Sequence, residues 1–112
     1  MKHFLPVLLL GLAVSGMTQA ANVAAGKELV TQKGCVACHG ADGKGVGNAD
    51  YPKLAGQYAS YLEHALRAYR KGERTNAIMA GFAQALTDTE IADLAAFFAS
   101  NSSDLHDLRE MK

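Results

Sequence analysis

Tryptophan is absent from this 112-residue chain, and cysteine and proline occur only twice each. Basic and acidic side chains balance at 11 apiece. A nucleic-acid-binding domain asks for a basic surface, so that class is excluded. No segment alternates apolar and polar residues as a half-buried strand does, and no internal repeat is present. The longest apolar run, residues 4–14, is about half the length that spans a bilayer. It follows Lys2 and precedes Thr18 and Ala20, small residues at −3 and −1 of a cleavage point. Residues 1–20 therefore read as a cleaved secretory signal, with no membrane span left in the mature form and no cysteine near the cut to take a lipid. The mature chain is expected to start at Ala21, in a periplasm, with ten basic and eleven acidic side chains. A domain of about 92 residues has difficulty burying enough apolar area, and chains of that size usually carry a staple.

What is present is helical. A first helix is expected over 24–38, running to the cysteines, with Ala25, Leu29 and Val30 inward. A second is expected over 57–70, where Tyr58, Tyr61, Leu62, Ala65, Leu66 and Tyr69 repeat with helical spacing and Gly72 provides the stop. Thr87 followed by Glu90 three residues on is a capping box opening a third helix with Ile91, Leu94, Ala95 and Phe98 buried. Residues 40–56, rich in glycine, read as a loop, and 73–86 as a loop holding Met79 with room for a short helical turn. The domain is read as all-α, spanning 21–100, with a polar tail over 101–112.

The two cysteines stand three apart with a histidine directly behind them: Cys35-Val36-Ala37-Cys38-His39. That order fits the attachment sequence for c-type haem. Two thiols one helical turn apart reach two vinyl groups on one porphyrin edge, and the histidine behind them projects under the ring toward iron. Three other readings use the same residues. A thiol redox couple needs a strand and a βαβ setting. A structural zinc site needs four protein ligands, and beyond this motif the mature chain offers only His64 and His106. A disulfide closing so short a loop would constrain the unfolded chain little. Haem iron in electron carriers is often held by histidine and methionine, and the mature chain has Met79 and Met111. Met111 sits in a charged tail. Met79 lies 40 residues beyond His39 between two helices, so it is the candidate second ligand, against the plainer reading of a core filler.

With these motifs in place, the chain resembles a class I c-type cytochrome of the short bacterial kind, similar to one half of the two-haem cytochromes c4. The resemblance rests on "GKELVTQKGCVACHGADGKG", "YPKLAGQYASYLEHALRAYRKGER" and "IMAGFAQALTDTEIADLAAFFAS". It implies an all-α class I cytochrome c fold, with three main helices and long loops around one covalently bound haem c. It implies Cys35 and Cys38 as thioether anchors, His39 and Met79 as axial iron ligands, and the Pro52 carbonyl as partner to the His39 ring N–H. Gly26 would allow Phe97 or Phe98 close, and Tyr58, Tyr61, Arg67 and Arg74 would lie near the propionates. One attachment motif implies one haem, so the two-domain arrangement of the c4 relatives is not expected.

The expected function is single-electron carriage by Fe(III)/Fe(II) cycling, not enzyme catalysis, by a monomer or weak dimer serving redox partner proteins. The alternative is a cytochrome subunit of a periplasmic dehydrogenase or oxidase complex. With little net charge, docking is expected to use an apolar rim that includes Val36, Ala37, Val46 and Ala80.

Overall fold

The computed structural model describes Gly11 and residues 20–103. The expected signal before Ala20, His106 and Met111 lie outside the described residues. Five helices follow in order: α1 (Val23–Gln32), α2 (Val36–His39), α3 (Ala59–Lys71), α4 (Ala77–Gln84) and α5 (Asp88–Ser100). No strand occurs among the described residues. Nor is any described helix long and apolar enough to cross a membrane.

Three of these helices match the expected ones with shifted ends, and two are additions. The single helix expected over 24–38 is broken after Gln32, because Gly34 takes a positive φ of 78° that ends the α-helical ladder. The chain then restarts as the one-turn α2. The loop expected over 73–86 holds α4, which Asn76 opens by accepting the N–H groups of Ile78 and Met79 at 3.1 Å each. In α3, the helical spacing is right, but Tyr58 and Tyr61 are exposed. Leu62, Ala65 and Ala68 form its buried stripe, and Gly72 ends it in the left-handed region.

The core gathers Val30, Leu62, Leu86, Ile91, Leu94, Phe97 and Phe98. Helix α5 is its spine: α1 packs on one side and α3 on another, with α4 against α3. Gly26 makes the α1–α5 crossing possible. A β-carbon there would stand 2.1 Å from the Asp93 carbonyl oxygen and 2.7 Å from Phe97 Cβ. Phe98 makes its close approach elsewhere, at Gly43, where an added β-carbon would stand 2.6 Å from the ring. The long loop is also tied to the end of α5: Gly56 N–H donates to the Phe98 carbonyl at 2.9 Å, and the Asn101 amide donates to the Asp42 carbonyl at 2.8 Å.

The start of α5 has the expected capping box. Glu90 N–H donates to Thr87 Oγ1 at 3.2 Å, and Thr87 N–H donates to Glu90 Oε2 at 3.0 Å. Lys33 pairs with Glu90 at 3.2 Å, joining the end of α1 to this cap. Thr87→Ala is expected to lower unfolding free energy by about 1 kcal/mol, read as a fall in Tm of roughly 4–8 °C. A Tm unchanged within error would show that the cap contributes nothing.

Arg67 and Arg70 of α3 both reach the Asp88 carboxylate, at 3.1 and 2.5 Å. The Arg70 hydrogen bond and charge, then the Arg67 charge, hold the Asp88 carboxyl below its ordinary range. A depressed folded value means the pairing contributes fully above the unfolded-state pKa of about 3.9. The contribution is lost as pH falls through the lower folded value. Asp88→Asn is therefore expected to flatten part of the acid limb of a Tm-against-pH curve while leaving the curve above pH 6 nearly parallel. An identical acid limb in the variant would exclude this pairing as a source of acid sensitivity.

Candidate functional site

A cavity of about 480 Å³ lies where α2, the long loop, α3, α4 and α5 meet. Leu54, Leu62, Leu66, Leu94, Ala95 and Phe98 supply most of its apolar wall. Cys35, Cys38, His39, Pro52 and Met79, the residues singled out from the sequence, all line it.

Local structure explains how each arrives there. Cys35 is the N-cap of α2, and the His39 N–H donates back to the Cys35 carbonyl at 3.0 Å, closing a single helical turn. That turn carries both sulfurs and the imidazole to one wall. The His39 residue is only 6% exposed, and its Nδ1 lies 2.8 Å from the Pro52 carbonyl oxygen. A carbonyl only accepts, so Nδ1 carries the proton, and in the neutral ring Nε2 then keeps its lone pair. The loop holds Pro52 in place by two anchors. Gly45 N–H donates to the His39 carbonyl at 2.9 Å, and the N–H groups of Leu54 and Ala55 donate to the Gly43 carbonyl at 2.7 and 3.0 Å. Met79 comes from the first turn of α4, which Asn76 orients.

The setting of these thiols differs from that of a redox couple. Such a couple works through a thiolate held below the ordinary range. At Cys35, burial acts in the opposite sense and pushes the thiol up. The strand that such a couple also needs is missing among the described residues.

Of the four side chains suggested for the polar edge, Tyr61 and Arg74 line the cavity, whereas Tyr58 and Arg67 do not. Arg67 is instead spent on Glu63 and Asp88. Arg74 donates to the Tyr61 hydroxyl at 3.4 Å and lies over the Tyr69 ring at 4.9 Å. Tyr69 and Asn76 join the site without having been foreseen. For Asn76 the signal was available, since asparagine ahead of an apolar turn is a helix start. The rim also differs from expectation. Val46 is exposed, but Val36 packs against the core, and Ile78 and Phe82 of α4 are the large apolar side chains exposed beside Met79.

The sequence model of the family described as Cytochrome c matches residues 23–102. The chain belongs to the cytochrome c family. It is 46% identical over 84 residues to cytochrome c-554(548) of Halomonas halodenitrificans, covering 72% of this chain and 98% of that one. It is 39% identical over 95 residues to a thiosulfate dehydrogenase electron acceptor of Stutzerimonas stutzeri, covering 79% of this chain and 44% of the relative. Among solved structures, cytochrome c4 of Acidithiobacillus ferrooxidans superposes with a TM-score of 0.66 at 32% identity, over 77% of this chain and 53% of that one. The chain thus spans nearly all of the first relative and about half of the other two.

Cytochromes c carry covalently bound haem c with its iron, and their work is haem-based electron transfer. The residues of this cavity fit that group. Two thiols, an imidazole with a free Nε2 lone pair and a thioether sulfur line one apolar cavity, and an Arg–Tyr pair stands on its wall.

Proposed function

We propose that this protein is a monohaem electron carrier of the periplasm, in which Cys35 and Cys38 would hold the haem as thioethers while His39 and Met79 would hold its iron. The observation that carries the reading is the convergence of these four side chains on one apolar cavity, with His39 Nδ1 held by the Pro52 carbonyl at 2.8 Å. When bound, the haem supplies a metal centre that accepts and releases one electron. The chain's residues do the rest. The Pro52 carbonyl holds the Nδ1 proton, fixes the ring orientation and raises the basicity of Nε2. Met79 brings a soft sulfur that favours the lower metal charge and raises the potential. The leucine and phenylalanine wall keeps water out and disfavours the extra charge of the oxidised state in the same sense. If His39 and Met79 both held the iron, no position would be left for a substrate, which favours a carrier over an enzyme. The supporting frame is a signal over 1–20, a haem domain over 21–100 and a short tail over 101–112.

Met79→Ala is the test. The matured variant is expected to lose the far-red absorption band of methionine-ligated ferric haem, to bind carbon monoxide when reduced, and to show a lower potential. Retention of that band would remove Met79 from the ligand set.

The likeness to a thiosulfate dehydrogenase electron acceptor favours a second reading, a cytochrome that serves one dehydrogenase as a standing partner. Purification from the native periplasm at low salt separates the two. A second chain in constant ratio supports the partner reading, and a single chain supports the free carrier.

A further inference from the structure

Asp93 is a buried carboxylate that the haem cavity does not use. It is 8% exposed, stands midway along α5 and is absent from the cavity wall. Aspartate is rarely this buried without a charge partner, and among the described residues no lysine, arginine or histidine pairs with it. Its Oδ1 instead accepts the backbone N–H of Asn22 at 2.7 Å, across 71 positions in sequence. Asn22 is the N-cap of α1, and the first turn of α1 contains no acidic residue. The negative charge at that helix end is thus supplied by α5.

The sequence places the expected cleavage between Ala20 and Ala21, one residue before this contact. In the uncut chain the Ala21 nitrogen is a neutral amide. Hydrolysis adds water across the Ala20–Ala21 peptide bond: the leader leaves with the new carboxylate, and Ala21 keeps an amine that takes up a proton. Consecutive backbone nitrogens are at most about 3.8 Å apart. The new ammonium therefore lies at most about 6.5 Å from Asp93 Oδ1, and a shorter approach brings it within the roughly 4–6 Å over which opposite charges shift one another's titration.

We propose that signal removal creates an ion pair between the Ala21 α-ammonium and Asp93, a second tie between the start of α1 and α5 that exists only in the processed chain. This rests on the periplasmic reading above and adds to it a contact that export itself completes. The pair also answers an electrostatic problem. A cation at a helix N-terminus is unfavourable, and the Asp93 carboxylate offsets it. The other described charges on the two helices are placed differently. Lys27 and Glu28 of α1 are exposed, Glu90 is held by Thr87 and Lys33, and Asp88 is held by Arg67 and Arg70.

The test uses the haem-loaded protein matured in a periplasm, with two variants. Asp93→Asn keeps an oxygen that can accept the Asn22 N–H and removes only the charge. Insertion of Ala-Gly between Ala20 and Ala21 leaves Asp93 intact and moves the ammonium two residues away. The α-amino pKa is read from the pH dependence of N-terminal acylation, and Tm is followed from pH 6 to 10. An ammonium whose folded pKa is raised above the ordinary value of about 7.7–8.0 contributes fully below that value, and the contribution is lost as pH rises through the folded pKa. In the wild type the α-amino group is expected to titrate at least about half a unit above the ordinary value. Its Tm should show a declining step between pH 8 and 10. Both variants should lack that step, with Tm at pH 7 lower by about 4 °C and unchanged visible spectra. An ordinary α-amino pKa, or a step that persists in the insertion variant, overturns the proposal even if Asp93→Asn fails to mature. An intact mass whose N-terminus is not Ala21 overturns it at its premise and is read independently of the titration.

Discussion

Alanine at both Cys35 and Cys38 is expected to leave a chain with no cooperative thermal transition. The reason is that the cavity occupies the middle of the core. Leu62, Leu86, Leu94, Ala95 and Phe98 belong to the buried cluster and to the cavity wall alike. Removing the anchors removes the means of holding the group that fills this space. Leaving a cavity of about 480 Å³ empty, at about 24 cal/mol per Å³ for an enclosed void, sets an upper bound on the order of 10 kcal/mol. That is as large as the whole stability of an ordinary domain, about 5–15 kcal/mol. The walls must therefore collapse into a different packing or the chain must stay unfolded. Circular dichroism melting of the double variant is the measurement. A sharp transition near the wild-type temperature would show that the apolar wall closes well by itself and that the cofactor is no part of the core.

Gly26→Ala is expected to destabilise the fold, although it removes nothing. The added methyl would stand 2.1 Å from the Asp93 carbonyl oxygen, 2.7 Å from the carbonyl carbon and 2.7 Å from Phe97 Cβ. None of these is the end of a flexible side chain, so no rotamer change relieves the clash, and α1 must move off α5 as a body. Overpacking of this kind costs about 1–3 kcal/mol and sometimes more. Alanine returns up to about 1 kcal/mol of helix propensity. A net loss of about 2 kcal/mol is expected, or a fall in Tm of roughly 8–16 °C. Gly81→Ala in α4 is the control, because a β-carbon there meets nothing within 4 Å. It is expected to be neutral or stabilising. Equal effects of the two substitutions would show that helix propensity, not the α1–α5 approach, governs the response.

Much of this molecule was legible without a structure because its signals are local. The CxxCH order states its chemistry within five residues. The Thr87–Glu90 box needs only a separation of three, and Gly72 ends α3 by its own backbone preference. Signals that compete locally were read less well. The apolar spacing before Cys35 continues past Gln32, and only the positive φ of Gly34 breaks it. Residues 73–86 carry too little periodicity to announce α4, although Asn76 marks its start. Tyr58 and Tyr61 sit on the spacing of the α3 stripe, yet both stay exposed, Tyr61 at the edge of the cavity, while Leu62, Ala65 and Ala68 form the buried stripe there.

By itself, then, the order of residues determined the helical class, the attachment motif, the histidine and methionine to be considered as donors, and the cap of α5. Each follows from covalent spacing or from hydrogen bonds within one turn. The Pro52 carbonyl at His39 was implied by the family resemblance and is realised only by the tertiary structure, which alone decided that Arg67 turns to Asp88 and that Gly26 and Asn22 both lie against Asp93. Those contacts join positions 13 to 71 residues apart. At such separations no local preference sets the distance, and the packing of α1, α3 and the long loop on α5 does.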